Sequence, residues 1–374
     1  MHVFTDFDGT IAKLKESIDQ ALNTGQAESL LVLSCDENNF TPEQLDPLLK
    51  EVPVPIFGGT FPIVMSGARQ MKRGSVVVAF HRRVDVHFIP GMSDPDMDYE
   101  GILDELVDDD DDLKTLMVFV DGMSQRIAAF IEALYAVFGL DINYIGGGAG
   151  SLQLKPKPCL ITNEGLLEDG GVVASLHMES GVGVSHGWTT ISGPYKVTEA
   201  ERNVIKSLDW KPAFEVYREV VEAHSNTPFM SLPFFDIAKS YPFGIAKLGT
   251  ERVVRDPHTL DGDRNLICVG EVSEGSYVDI LHAEPHDLIR AAGMALDKAK
   301  KDYSAETAPG LGFVIDCVSR VLFLEDEFVS ELEAVVVPEV EFVGVCSMGE
   351  IANSGQDYLE FFNKTAVVAF LEGD

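Results

Sequence analysis

Three things are scarce in this chain of 374 residues: long apolar runs, cysteine and positive charge. No apolar run approaches the ~20 residues that a membrane-crossing helix needs. The best candidate, 127–140, is short and carries Glu132. The first residues, Met1-His2-Val3-Phe4-Thr5-Asp6, show no basic segment followed by an apolar one, so no secretory signal is read and a cytoplasmic protein is expected. The five cysteines (Cys35, Cys159, Cys268, Cys317, Cys346) form no CxxC pair. An odd, scattered set argues against a disulfide framework or a zinc site and points to small buried hydrophobes.

Lys and Arg total 28 against 61 Asp and Glu, a formal net charge of −33. A surface this acidic repels phosphate backbones and anionic lipids, which excludes nucleic acid and membrane surfaces as partners. The acidic run 108–112 lacks the turn glycine and alternating ligands of a calcium loop, so it reads as a solvated linker and no metal is expected.

What the chain does contain is ordinary globular material, 45% apolar and 24% charged, with length for two or three domains. Its most informative feature is self-similarity. Leu30-Leu31-Val32-Leu33-Ser34-Cys35 is an apolar run of strand length, followed by a helical stretch (42–49), a second run (54–57), Gly58-Gly59 and the run 75–81. The pattern returns from Leu116-Met117-Val118-Phe119-Val120-Asp121, through a helix at 126–138 and Ile142-Asn143-Tyr144-Ile145, to a glycine turn at 146–150 and the run 171–177. It returns again from Phe313-Val314-Ile315-Asp316-Cys317, through a helix at 328–335 and the run 342–346, to Ala366-Val367-Val368-Ala369. Strand–helix–strand of this length is the parallel crossover unit. The Val-Val-Ala runs do not alternate, so their strands are expected to be buried on both faces. The fold class is therefore α/β: duplicated strand–helix–strand units forming mixed β-sheets covered by helices, in two domains. The N-terminal domain is placed at 1–198, with repeat units at 26–92 and 113–180, and the C-terminal domain at 212–374. Residues 93–112, which join the first two units, read as exposed loop, and 197–201, in the region connecting to the third unit, as a turn.

The ordered set Ile145-Gly146-Gly147-Gly148-Ala149-Gly150, His186-Gly187-Trp188, Val254-Arg255-Asp256-Pro257, Phe313 to Arg320, Gly349-Glu350-Ile351 and Phe362-Asn363-Lys364-Thr365 resembles the FIST family of intracellular sensory domains, which has an N-terminal and a C-terminal part. The resemblance implies a non-enzymatic sensor of a small ligand, amino acids being the usual suggestion. No output module is visible, so the signal would pass to a separate partner such as a histidine kinase. One branch of the family binds haem and senses nitric oxide, and His177 and His186 are the candidate axial ligands for that reading.

The ligand site is expected at the carboxyl ends of the C-terminal strands, where open α/β sheets bind ligands. Arg320 would clamp a ligand carboxylate bidentately, with Arg255 assisting. Glu350 would accept an ammonium group, Asn363 would offer a donor and an acceptor, and Asp316 and Cys317 would line the floor. The competing reading is a structural ion pair for Arg320 and Arg255, a helix N-terminal carboxylate favoured by the dipole for Glu350, and a turn residue bonding its own backbone for Asn363. A phosphatase alternative rests on Phe4-Thr5-Asp6-Phe7-Asp8-Gly9-Thr10, which resembles the first motif of haloacid-dehalogenase-type enzymes. There Asp6 would be the nucleophile, Asp8 the acid/base, and Ser34 a later motif residue. His258 and Asp263 read as surface loop.

Overall fold

A computed structural model describes residues 1–106, 112–246, 252–353 and 359–373. The acidic run at 108–111 lies outside the described residues. The first unit runs β1 (His2–Asp6), α1 (Ile11–Asn23), β2 (Ser29–Cys35), α2 (Pro42–Glu51), β3 (Ile56–Phe61), β4 (Ile63–Ser66), β5 (Arg69–Met71) and β6 (Ser75–Phe80). The second runs β7 (Asp85–Pro90), α3 (Tyr99–Asp104), β8 (Thr115–Asp121), α4 (Ile127–Phe138), β9 (Asn143–Ala149), β10 (Leu160–Thr162), β11 (Gly165–Leu167) and β12 (Gly170–Leu176).

The third begins with β13 (Ser180–Ser185) and is then interrupted by an insert: β14 (Thr189–Glu201), β15 (Val204–Leu208), β16 (Lys211–Pro212), α5 (Ala213–Ser225), α6 (Phe234–Ala238), β17 (Phe243–Ile245), β18 (Val253–Leu260), β19 (Leu266–Val269) and β20 (Tyr277–His282). It resumes with α7 (Pro285–Asp302), β21 (Pro309–Cys317), α8 (Val318–Leu324), α9 (Phe328–Val335), β22 (Phe342–Ser347), β23 (Glu350–Ala352), β24 (Glu360–Phe362) and β25 (Ala366–Glu372). Local chemistry sets several helix starts. Thr41 and Gln44 form a capping box around Pro42 at the head of α2, and Glu284 and Asp287 do the same around Pro285 in α7.

One strand order recurs in three six-stranded sheets: β1–β6–β2–β3–β10–β11, β7–β12–β8–β9–β23–β24 and β13–β25–β21–β22–β4–β5. In each, the two crossover strands are parallel and the Val-Val-Ala strand lies antiparallel beside the first of them. The last two strands of each sheet are a hairpin lent by another unit. The first unit's hairpin completes the third sheet, the second unit's the first, and the third unit's the second. The exchange is cyclic, so no unit closes its own sheet.

A glycine marks the same position in each second crossover strand. Gly58, Gly146 and Gly344 pair with Val32, Val118 and Val314. A Cβ there would stand 2.0, 1.7 and 2.2 Å from the facing valine carbonyl oxygen, closer than any side chain allows.

The inner faces of the three sheets share one core. Leu31 and Leu33 of β2, Phe119 of β8 and Phe313 and Ile315 of β21 meet there. The alternate residues face outward onto helices: Leu30 and Val32 onto α1 and α2, Val118 and Val120 onto α4, Val314 onto α7 and α9. Both faces are buried, which is why these strands carry no polar alternation. The insert has its own core around Phe214, Tyr217 and Phe243. Its seven strands are antiparallel, and β14 pairs with both β20 and β15. No helix among the described residues is long and apolar enough to cross a membrane.

Several local expectations need correction. Each unit starts one strand and one helix before the apolar run that signalled it: β1–α1, β7–α3 and β13–α7. Strand β13, inside 1–198, pairs with β25 at the end of the chain. Residues 146–149 belong to strand β9, not to a turn, and 197–201 to the long strand β14. The stretch 93–112 contains α3, whose Tyr99 and Leu103 are buried.

Candidate functional site

A cleft lies where the insert faces the carboxyl ends of the second and third units. Three segments build its first cavity, of about 320 Å³. The end of β21 and the start of α8 bring Cys317, Val318, Ser319 and Leu322. The turn between β22 and β23 brings Met348 and Gly349, and strand β18 brings Asp256 and His258. Leu152, Leu154, Phe235 and Val269 make the remaining wall apolar, and Asn363 reaches in from the turn before β25. An adjoining cavity of about 380 Å³ shares Leu154, His258, Val269 and Met348 and adds Arg202, Asn203, Arg255 and Ser124. Positions 256 and 258 face one way because strand side chains repeat every second residue. A break in register between Pro257 and Thr259 lies beside His258.

Asp256 and Asn363 define the chemistry of the first cavity. Asp256 is 2% exposed and Asn363 1%. One Asp256 oxygen, Oδ2, lies 3.1 Å from Lys364 Nζ, itself fully buried and donating to the Lys239 carbonyl at 2.8 Å. Asn363 Nδ2 donates to the Phe362 carbonyl at 3.0 Å, which fixes the amide's orientation and turns Oδ1 away from that carbonyl. Neither Asp256 Oδ1 nor Asn363 Oδ1 accepts a hydrogen bond of normal geometry among the described residues. Burial pushes the Asp256 pKa up, while Lys364 and the neighbouring Ser319 hydroxyl draw it back toward the charged form. Gly270 lets the two cavities meet: its φ is +84°, and a Cβ there would touch Arg255 Nε at 3.0 Å and Asn363 Oδ1 at 3.3 Å.

The structure redistributes the six residues expected to bind ligand. Cys317 and Asn363 line the first cavity and Arg255 the second. Arg255 is itself anchored, donating from Nε to the Glu271 carbonyl at 2.9 Å and from Nη1 to Val254 and Phe361 carbonyls at 3.0 Å. Burial pushes the Cys317 thiol well above its ordinary range, so it behaves as a small wall residue.

Arg320, Asp316 and Glu350 are corrected to structural roles. Arg320 is 0% exposed. Its Nε and Nη2 donate to Glu331 Oε1, Nη1 to the carbonyls of His186 (2.8 Å) and Lys364 (3.3 Å), and Nη2 also to Leu288 (3.1 Å). Asp316 Oδ1 stands 3.1 Å from Nε. All five donors are engaged inside the protein, leaving none for a ligand carboxylate. Burial and the neighbouring Glu331 push Asp316 well above the usual carboxylate range. Glu350 accepts from the Ser347 hydroxyl at 2.9 Å and the Thr365 N–H at 3.3 Å. Burial pushes its pKa up to about 8, so near pH 7 it is mostly neutral and a poor partner for an ammonium group.

The other candidates stand apart from the cleft. His186 accepts from the Trp188 N–H at 2.9 Å and is 8% exposed; neither it nor His177 lines either cavity. Asp6 accepts from the N–H groups of Asp8 (2.8 Å) and Gly9 (3.1 Å), which makes it a turn residue at the end of edge strand β1. Strand β1 pairs only antiparallel, with β6, unlike the central parallel strand a phosphatase nucleophile needs, and Ser34 bonds Ser75 at 2.9 Å. His258, expected on the surface, lines both cavities. Asp256, Ser319 and Lys364 were not expected to take part. All three lie inside the quoted motifs, and that was the available signal.

A family model described as the FIST N domain matches residues 29–211, and one described as the FIST C domain matches 213–353. No curated protein matches the chain significantly.

Proposed function

The chain belongs to the FIST family of sensory signal-transduction domains, and we propose that it senses by binding a small molecule in the cleft between the insert and the carboxyl ends of β8, β21 and β22. One observation carries the reading: two buried acceptors, Asp256 Oδ1 and Asn363 Oδ1, which take no hydrogen bond of normal geometry among the described residues, line one apolar-walled cavity. Buried polar groups are nearly always satisfied, and the exceptions call for an explanation. Apolar walls with a few convergent polar groups are the usual make-up of a ligand pocket. Of an amino-acid-like ligand, the part these acceptors would meet is its amine.

Binding would be felt by the insert because the same turn touches both. Asn363 faces the cavity, while Lys364 Nζ holds Asp256 and the Lys239 carbonyl, both on the insert. The Lys364 carbonyl accepts from Arg320 and from Trp188 Nε1, beside the point where the insert leaves β13. Closure of the insert on the body is the proposed signal, read by a separate output protein such as a histidine kinase. The proposed event in this cleft is binding, with no bond made or broken.

Thermal-shift screening of amino acids, small amines and small carboxylates tests this. A true ligand at a hundredfold excess over Kd adds about 2.7 kcal/mol of stability. Val269→Trp, at a half-exposed wall position, fills the cavity and is expected to abolish the shift. No shift with any compound, or shifts that survive Val269→Trp, would sink the cleft as the sensing site.

A further inference from the structure

We infer that the first cavity selects its ligand by an N–H donor group, and that the fitting class is a primary amine on a short apolar body without a carboxylate. This rests on the cleft being the sensing site and names what that site takes. The polar atoms offered there are unequal in kind. Asn363 presents an acceptor and has its amide donor tied to the Phe362 carbonyl. Asp256 presents its second oxygen, the first being held by Lys364. Among the described residues no Lys or Arg lines this cavity; its other polar side chains are the Ser319 hydroxyl, drawn toward Asp256, and His258. The one nearby ammonium, Lys364 Nζ, is fully buried and engaged by Asp256 Oδ2 and the Lys239 carbonyl.

A ligand carboxylate would face the Asp256 carboxylate and the Asn363 acceptor with no Lys or Arg on the wall among the described residues. It would lose its hydration beside a like charge, with the Ser319 hydroxyl already drawn toward Asp256 and the His258 ring as the remaining donor to offset that loss. An ammonium or amide N–H meets both oxygens and replaces the solvent that would otherwise satisfy them. Leu152, Leu154, Val269 and Leu322 then cover an aliphatic or aromatic body. The net charge of −33 acts in the same direction at longer range, since an acidic protein concentrates small cations near its clefts.

The nearest guanidinium, Arg255, serves the adjoining cavity and is held by three backbone carbonyls. A zwitterion would have to straddle Gly270 to use it, so an amine lacking the carboxylate is the better match.

The test compares amine and carboxylate on one body: isoamylamine against isovalerate, and phenethylamine against hydrocinnamate, by calorimetric titration of the full chain. Each amine is expected to bind at least tenfold more tightly than its partner acid. Asn363→Leu is expected to weaken amine binding at least tenfold while leaving the urea midpoint near that of the wild type. If the acids bind as well as the amines, and Val269→Trp blocks them, the cleft stands and the amine class is wrong. If amines bind but Asn363→Leu leaves their affinity unchanged with a normal urea midpoint, the assigned acceptor is wrong. If neither amines nor acids bind, the cleft reading and this one fail together.

Discussion

Two buried charge clusters lie side by side in this molecule and are finished differently. Around Arg320, five donors meet Glu331, Asp316 and three backbone carbonyls, and the guanidinium has nothing left to offer. Around Lys364, the ammonium is engaged but Asp256 and Asn363 each keep an oxygen that accepts no hydrogen bond of normal geometry among the described residues. The first cluster ties the body to both roots of the insert, through His186 and Leu288. The second borders a cavity. Residue type does not separate a latch from a binding site, and neither does completion of the carboxylates, since Asp316 Oδ1 and Glu331 Oε2 also accept no hydrogen bond of normal geometry among the described residues; open volume beside the unpaired oxygens does. A sealed cluster rigidifies, and unpaired acceptors beside open volume are where a ligand's own groups gain most.

The largest effect expected from breaking this contrast is Arg320→Leu. It strands Asp316 and Glu331 without their cation and removes the donors of three carbonyls, and breaking a buried pair in this way costs about 3–5 kcal/mol. A urea midpoint near wild type would show that the cluster is dispensable. Arg320→Lys should recover little, because one ammonium cannot reproduce a five-donor fork.

An effect of similar size is expected from pH. Glu350 has a folded pKa raised to about 8 from an ordinary value near 4.5. Between those values the folded state keeps a proton that the unfolded state has released. Stability from this group is therefore full below about 4.5, falls as pH rises toward 8, and changes no further above it. Glu350→Gln should flatten the urea-midpoint profile across that window, and an unchanged slope would assign it to other groups. Smallest in stability is Asn363→Leu, which removes an unpaired acceptor together with one amide–carbonyl bond. The net change should stay within about 1 kcal/mol while ligand binding is lost. A collapse in stability would make Asn363 a second latch and erase the contrast.

Much of the α/β architecture was legible in the residues. The runs at Leu30, Leu116 and Phe313 are the first crossover strands, and the helix at 328–335 was placed at its observed bounds. The Val-Val-Ala strands are buried on both faces, as the missing alternation implied. The leading strands were not legible because edge strands such as β1 and β7 are half-exposed and carry mixed residues. The site was half legible: Cys317, Asn363 and Arg255 line the cleft, whereas Arg320 and Glu350 do not. Strand ends placed all of them near the right end of the sheets. Which way each side chain turned depended on α9 and on the turn at 363–365, elements distant in the chain.

By itself the sequence determined what is local. Unbroken apolar runs set the central strands, capping residues set the heads of α2 and α7, and three glycines marked where a neighbouring carbonyl leaves no room for a Cβ. Only the tertiary structure decided that each hairpin completes another unit's sheet, that Arg320 is sealed while Asn363 is left open, and that His258 faces a cavity. Backbone pairing is the physical reason. Any strand edge offers the same N–H and C=O groups, so the partner is chosen by packing across the whole core, and that choice fixes which polar side chains are satisfied.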